Sequence, residues 1–377
     1  MPRFFRRILN VLLVLFALVF IAALGLLLYA WREAGTAPSD AQLARYAHLP
    51  YFQDGRFQAW QELPYMPEKK AGQGSFGSPA SPNRPPRPFP MVTLTRADFA
   101  SAPAQQFTYY WLGHASALIE MAGVRFIVDP VFGNASPLPF LLPRFQPPPL
   151  AREELPPLDF VLITHDHYDH LEAATIRHFA RQATVPRFIV PLGLGVRLQG
   201  WGIPADKITE LGWAESTTAG ALTLTAEPAL HYSQRFFGDR GRTLWAAYVL
   251  QSPAADGTES TGERIFIAGD SGYSEHFQQI GQKYGDFDAA LIEIDAGNPG
   301  WPHTHLFPAQ AVQAAQDLNA ALMLPVHWGA YDMALHPWGE SIRAVRQEAA
   351  RVGVNLQIPK MGERFQRGDV RQEEWWQ

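Results

Sequence analysis

The sequence contains no cysteine. That excludes disulfide scaffolds, thiolate-held zinc, iron–sulfur clusters and thiol catalysis, and it leaves imidazole and carboxylate as the donors for any metal. Charge is sparse as well. Asp, Glu, Lys and Arg make up 18% of 377 residues, with 31 basic against 36 acidic and a net charge of −5. No Lys/Arg-rich run occurs, so a nucleic-acid footprint is not expected. No internal repeat is visible, which sets solenoids aside. At 47% hydrophobic, the chain can bury a sizeable core as one large domain or two smaller ones.

Residues 8–30 form an apolar run of 23 residues interrupted only by Asn10. At about 1.5 Å per residue such a run can cross a hydrocarbon layer about 30 Å thick. A cleaved signal peptide is the alternative. Its apolar region should span about 7–15 residues and end at a small-x-small site. Leu28-Tyr29-Ala30 is a poor site, and Gly35-Thr36-Ala37 is followed by Pro38. Arg6-Arg7 has the form of a twin-arginine signal, but the strong apolarity of the run favours an uncleaved anchor. Arg3, Arg6 and Arg7 precede the run and Arg32-Glu33 follows it. By the positive-inside rule the short end stays cytoplasmic and the rest lies in a periplasm-like space, a single-pass arrangement at a bacterial inner membrane. Without residues 1–33 the chain has 27 basic and 35 acidic residues, so the helix rather than charge holds it to the membrane.

Three regions are expected: an anchor over 1–33, a Pro-rich stalk or wrapping arm over 34–90, and the main domain over 91–377. Residues 64–90 contain eight prolines, which favours extended, semi-rigid chain. Strands are expected at 107–112, 117–121, 124–128, 160–163, 187–190, 222–226, 244–250, 264–268, 289–294 and 321–324, and helices at 171–181, 274–284, 308–318 and 340–352. The polar segment 251–263 reads as a hairpin loop. The alternation favours sheets covered by helices. A second Pro-rich stretch, 137–149, reads either as an irregular loop packed on itself or as an apolar lid beside a site.

The strand at 160–163 runs into Thr164-His165-Asp166-His167-Tyr168-Asp169-His170-Leu171. A loop leaving a strand can turn His165 and His167 toward one metal, while Asp169 and His170, at the start of the next helix, face a second. Imidazole and carboxylate suit zinc, and manganese or iron can use the same donors. Two ions about 3.5–4 Å apart form a clamp for hydrolysis. One loop cannot complete two sites, so further donors must come from other strand ends. Asp270 follows the strand at 264–268 between Gly269 and Gly272, whose missing side chains allow close backbone approach. Its two oxygens could bridge both ions; a helix cap is the plainer role. His327 in Val326-His327-Trp328-Gly329 and His231 in Leu230-His231-Tyr232 occupy similar positions, and a satisfied core histidine is the plainer reading of each. Asp166 reads as an orienting or exposed residue. His114 reads as a hydrogen-bonded histidine beside the site. Tyr168 and Trp328 read as packing residues. His48, His178, His276 and His336 show no ligand spacing.

These motifs, with Trp111-Leu112-Gly113-His114-Ala115, Asp129-Pro130-Val131-Phe132, Val190-Pro191-Leu192-Gly193 and Ala268-Gly269-Asp270-Ser271-Gly272-Tyr273, resemble the metallo-β-lactamase superfamily and, within it, the N-acyl-phosphatidylethanolamine-hydrolysing phospholipase D-like branch. The resemblance covers residues 107–365. It implies an α/β fold, a four-layer αβ/βα sandwich, here preceded by one transmembrane helix. It implies two zinc ions, one held by His165, His167 and His231 and the other by Asp169, His170 and His327, with Asp270 bridging. Asp169 and Asp270 would also orient the attacking water, and His305 would meet the substrate phosphate. Where the phospholipase has Gln-His-Trp, this chain has Leu230-His231-Tyr232, so the pocket wall differs. The implied activity is a membrane-anchored phosphodiesterase acting on phospholipid. A lactonase or other small-ester hydrolase, and a non-catalytic metal-binding membrane protein, are the alternatives.

Overall fold

A computed structural model describes residues 3–69, 83–254 and 261–377. Much of the Pro-rich segment 64–90 and the centre of the expected hairpin loop 251–263 lie outside the described residues. Helix α1 (Arg3–Ala34) contains the long apolar run, is long and apolar enough to cross a membrane, and has none of its most apolar window buried. The chain then lies against the domain through α2 (Asp40–Leu43) and a small hairpin, β1 (Phe52–Gln53) with β2 (Arg56–Phe57). Ala34, Leu43, Tyr46, Phe52 and Phe57 are all buried there.

The first large sheet contains β3 (Thr108–Gly113), β4 (Ser116–Met121), β5 (Val124–Val128), β6 (Phe160–Leu162), β7 (Arg187–Pro191) and β8 (Ile208–Leu211). The second contains β9 (Ser216–Ala219), β10 (Leu222–Glu227), β11 (Ala247–Pro253), β12 (Thr261–Ile267), β13 (Ala289–Glu293) and β14 (Met323–Val326). The last strand, β15 (Arg364–Gln366), returns to pair with β3. Among the described residues the strand orders are β15-β3-β4-β5-β6-β7-β8 and β14-β13-β12-β11-β10-β9.

Alternation along the strands sorts side chains between layers. Tyr109, Trp111, Ile119 and Phe126 join Leu224, Tyr248, Leu250 and Ile265 of the other sheet in one core. Tyr110, Leu118 and Ile127 point the other way, onto α3 (Ala173–Ala180) and α4 (Gly195–Gly200) through Ile176, Phe179 and Leu198. On the second sheet, α5 (His276–Tyr284), α6 (Pro308–Asp317) and α7 (Glu340–Val352) bring Phe277, Val312, Ile342 and Val345 into the core. The result is the four-layer αβ/βα sandwich.

Several bounds differ from the sequence expectation. Helix α3 starts at Ala173 rather than 171, because Leu171 still closes a turn back to the His167 carbonyl at 2.8 Å. Asp169 and His170 therefore lie in the turn before the helix, not in its first residues. The apolar run expected to be strand from 244 joins the ladder only at Ala247, since the Leu244 and Ala246 amides donate to Leu192 and Thr164 carbonyls of the opposite layer. The strand expected to stop at 324 continues through Pro325 to Val326, and β14 is an edge strand, where a missing amide is tolerated. Residues 251–253 and 261–263 extend β11 and β12. The 137–149 stretch is divided: Leu142 and Phe145 pack inward, whereas Phe140 and Leu141 are exposed.

The loop after β14 is pinned by His336, whose Nε2 lies 2.8 Å from Asp295 Oδ1, the same oxygen that accepts from Ser341 Oγ at 2.6 Å. Burial opposes the charged imidazole, but Asp295 outweighs it and raises His336 from 6.5 to about 9. A raised folded-state pKa stabilises below the unfolded value and loses that contribution as pH climbs through the folded one. Unfolding midpoints in urea should therefore decline across the window from 6.5 to about 9, with a smaller decline in His336→Gln.

Candidate metal centre

The strands that bear donors run in one direction. In the first sheet β5 and β6 are parallel, and β3 shares their direction because two antiparallel steps separate it from β5. In the second, β12, β13 and β14 are parallel, and β10 joins them by the same two-step reasoning. Their C-terminal ends deliver His114, Asp129, the 165–170 loop, His231, Asp270, Glu293 and His327 to one rim.

At that rim the backbone is held in unusual conformations. His114, Asp129 and His327 all have positive φ (56°, 42° and 65°). The His327 amide donates to the His114 carbonyl at 3.0 Å, and Trp111 Nε1 donates to the same oxygen at 2.8 Å. Gly269 sits at φ 60°, where an added Cβ would lie 2.9 Å from Thr164 Cβ, so this turn brings Asp270 onto the histidine loop only as glycine.

The seven residues named from the sequence come together in two overlapping groups. In one, His167 Nδ1 faces His165 Nε2 at 3.0 Å and His231 Nε2 at 3.2 Å. In the other, Asp169 Oδ2 lies 3.2 Å from His327 Nε2 and 3.4 Å from His170 Nε2. Asp270 Oδ2 lies between them, 3.1 Å from both His170 and His327 Nε2, 3.6 Å from His165 and 3.7 Å from His231. His305 stands beside them, its Nδ1 2.7 Å from Glu293 Oε2 and 3.9 Å from Asp270 Oδ2.

Buried His170 Nε2, His327 Nδ1 and both Asp270 oxygens make no hydrogen bond among the described residues. Burial disfavours charge on His170, yet Asp270, Asp169 and Asp129 outweigh it and hold its pKa well above the usual imidazole range. The same contest takes His327 to about 10. Burial and neighbouring imidazoles keep His165 and His231 well below that range, as neutral lone-pair donors. A pocket of unpaired carboxylate oxygens and neutral imidazoles calls for positive charge, and its nitrogen and oxygen donors fit divalent ions.

Around the donors, His114 Nε2 donates to Asp169 Oδ2 at 2.9 Å, and Asp129 Oδ2 accepts from His170 Nδ1 at 2.8 Å. Glu293 accepts from Ser271 N at 2.7 Å as well as from His305. Sequence reasoning did not assign roles to Asp129 or Glu293; the available signal was a carboxylate ending an apolar strand. Asp166 is neither a donor to the centre nor exposed. It is fully buried against Arg197 Nε (3.2 Å), Thr243 Oγ1 and Gln234 N. Tyr168 donates to the Arg235 carbonyl, and Trp328 stacks on Trp111. His48 is exposed, His178 is partnered by Gln182, and His276 lies against Ser271 and Ser274, all outside the two groups.

Two buried arginines tie this loop to the end of α1. Arg235 Nη1 donates to the Asp166 and Leu171 carbonyls at 2.6 and 2.7 Å, while its Nε and Nη2 donate to Ala34 and Glu33 carbonyls at 3.1 and 3.0 Å. Arg197 donates to the Ala34 carbonyl at 2.8 Å and pairs with Asp239 at 2.7 Å. A cleft of 580 Å³ opens beside His231 and Tyr232, walled by residues 56–63 of the N-terminal arm and by Trp245. In it the exposed Arg240 guanidinium lies 4.0 Å from the Tyr232 ring centroid, and Tyr232 lies 4.7 Å from the His167 ring.

Histidines and aspartates gathered from both sheets at one edge of an αβ/βα sandwich define a metal-dependent hydrolase. The family described as Beta-lactamase superfamily domain matches residues 124–328. The chain is 38% identical over 304 residues to the uncharacterized protein Rv0906 of Mycobacterium tuberculosis, covering 78% of each chain. It is 36% identical over 256 residues to N-acyl-phosphatidylethanolamine-hydrolyzing phospholipase D 1 of Caenorhabditis elegans, covering 65% of this chain and 69% of that one. The chain therefore belongs to the metallo-β-lactamase superfamily, in the branch that includes this nematode relative. The solved structure of Igni18, a metallo hydrolase of Ignicoccus hospitalis, shares the fold with a TM-score of 0.52 at 20% identity, covering 69% of this chain and 97% of that one.

Proposed function

We propose that this protein is a membrane-anchored binuclear zinc hydrolase, a phospholipase D-like phosphodiesterase acting on N-acyl-phosphatidylethanolamine or a related phospholipid. The observation that carries this reading is the Arg235 clamp: one guanidinium bonds both the end of the apolar helix and the carbonyls of the histidine loop, so a membrane-spanning α1 would hold the centre close to the lipid head groups. Similarity to the nematode phospholipase supports the same substrate class. Helix α1 would span once, with Arg3, Arg6 and Arg7 on the cytoplasmic side and the catalytic domain on the periplasmic side of a bacterial inner membrane.

His165, His167 and His231 would hold one ion, Asp169, His170 and His327 the other, and Asp270 both. So bound, the ions supply Lewis acidity and a water acidic enough to ionise near neutral pH. The chain's own groups position the reactants. His114 fixes Asp169 by hydrogen bonding, and Asp129 fixes the His170 ring. Arg240, stacked on Tyr232, attracts the phosphodiester anion into the cleft. His305 donates a hydrogen bond from Nδ1 to Glu293, and as an imidazolium it would use its Nε2–H to hold the phosphate or to protonate the departing alkoxide, returning to the neutral Nδ1–H form.

The test is product analysis with the metal-loaded full-length protein in vesicles. N-acyl-phosphatidylethanolamine should yield phosphatidic acid and N-acylethanolamine. Opening of lactones with the lipid left intact would overturn the assignment.

A further inference from the structure

Three apolar features meet where α1 reaches the domain. Leu26, Leu27 and Ala30 of the helix, Pro137 and Leu138 of the Pro-rich loop, and Phe236 and Phe237 of the loop after His231 line one open groove. Phe237 of this lining is 84% exposed, and Phe140, two residues beyond Leu138 in the same Pro-rich loop, is 61% exposed, unusual for large apolar side chains on a water-facing surface. Phe237 is not on a loose tip. The Arg235 and Phe236 amides donate to Asp239 Oδ1 at 3.1 and 3.0 Å, and Asp239 is itself paired with buried Arg197. The turn therefore holds the ring outward.

We infer that Phe237 and Phe140 form a second membrane contact, a collar around the helix that dips into the lipid leaflet and seats the mouth of the metal cleft on it. The occupant is lipid because the groove is continuous with the apolar helix: Leu26 and Leu27 belong both to the groove and to the span. Exposed Tyr29 and Trp31, followed by Arg32, are the residue types that settle at the membrane–water boundary. Leu26 lies about 7 Å deeper along the helix than Trp31, by helical rise. Phe237, exposed in the groove that Leu26 and Leu27 also line, thus reaches the acyl-chain boundary. The 231–241 loop has His231 and Tyr232 in the cleft and Phe236 and Phe237 in the groove, so one short segment links lipid to donor. This inference rests on the reading of α1 as a membrane span.

The absence of cysteine makes the test direct. Single variants Leu26→Cys, Phe140→Cys, Phe237→Cys and Val370→Cys of the full chain carry a nitroxide in phosphatidylethanolamine–phosphatidylglycerol nanodiscs. Spin-relaxation accessibility to oxygen and to a water-soluble nickel chelate is then compared. Positions 26, 140 and 237 should be accessible to oxygen and shielded from nickel, while 370, exposed on the C-terminal segment, should show the reverse. Nickel accessibility at 237 and 140 with lipid-like behaviour at 26 overturns the collar and leaves the anchor standing. Nickel accessibility at 26 overturns both. Shielding from both reagents at 237 overturns the collar in favour of a protein partner.

Discussion

Asp270→Ala is expected to lose bound metal and to lower kcat/KM by about a thousandfold or more, the scale on which removal of a catalytic group acts. The reason lies in one oxygen. Asp270 Oδ2 is within 3.9 Å of a nitrogen on each of His165, His170, His231, His327 and His305, and neither carboxylate oxygen bonds to the protein. Asp270→Asn keeps the volume and removes the charge, so it separates packing from ligation. Metal content by elemental analysis should fall in both variants. Two ions per chain with full turnover in either would remove Asp270 from the shared position.

The second large effect is expected from Arg235→Leu. Burial lowers this guanidinium's pKa only to about 10, with Tyr168 opposing the shift, so it is a cation at neutral pH. Its removal strands the Glu33, Asp166 and Leu171 carbonyls in the interior and leaves the Ala34 carbonyl with Arg197 alone. Breaking such a buried charged network costs about 3–5 kcal/mol. The melting midpoint should fall by about 5–10 °C. Metal affinity should fall by about tenfold or more, since Asp166 and His167 lose their support. Arg235→Lys should recover only part of this, because a point charge cannot span both ends of the clamp. A melting midpoint unchanged in Arg235→Leu would mean that the clamp contributes nothing.

The donors were legible because each follows an apolar strand closely, where a buried histidine or carboxylate has few structural uses. Helix α7 was legible from its 340–352 periodicity and from Gly353, which ends it in the left-handed conformation. Short edge elements were not: β8, β9 and β15 read Ile-Thr-Glu-Leu, Ser-Thr-Thr-Ala and Arg-Phe-Gln, too brief or too polar to carry a period. The hairpin at residues 52–57 was hidden for the same reason. Arg197 and Arg235 left no trace either. An arginine in a polar stretch reads as surface, and only the folded chain brings three sets of carbonyls around it. Asp129 and Glu293 sat at strand ends in plain view, but a lone carboxylate there does not announce which imidazole it will hold.

A domain fastened to its helix by Arg197 and Arg235 cannot swing on a tether. On the proposed reading of a spanning helix and a lipid substrate, the encounter is two-dimensional: lateral diffusion would bring lipids past a mouth kept at fixed height and tilt. Turnover should follow the mole fraction of substrate in the leaflet, diluting with inert lipid and indifferent to how many vesicles share the tube.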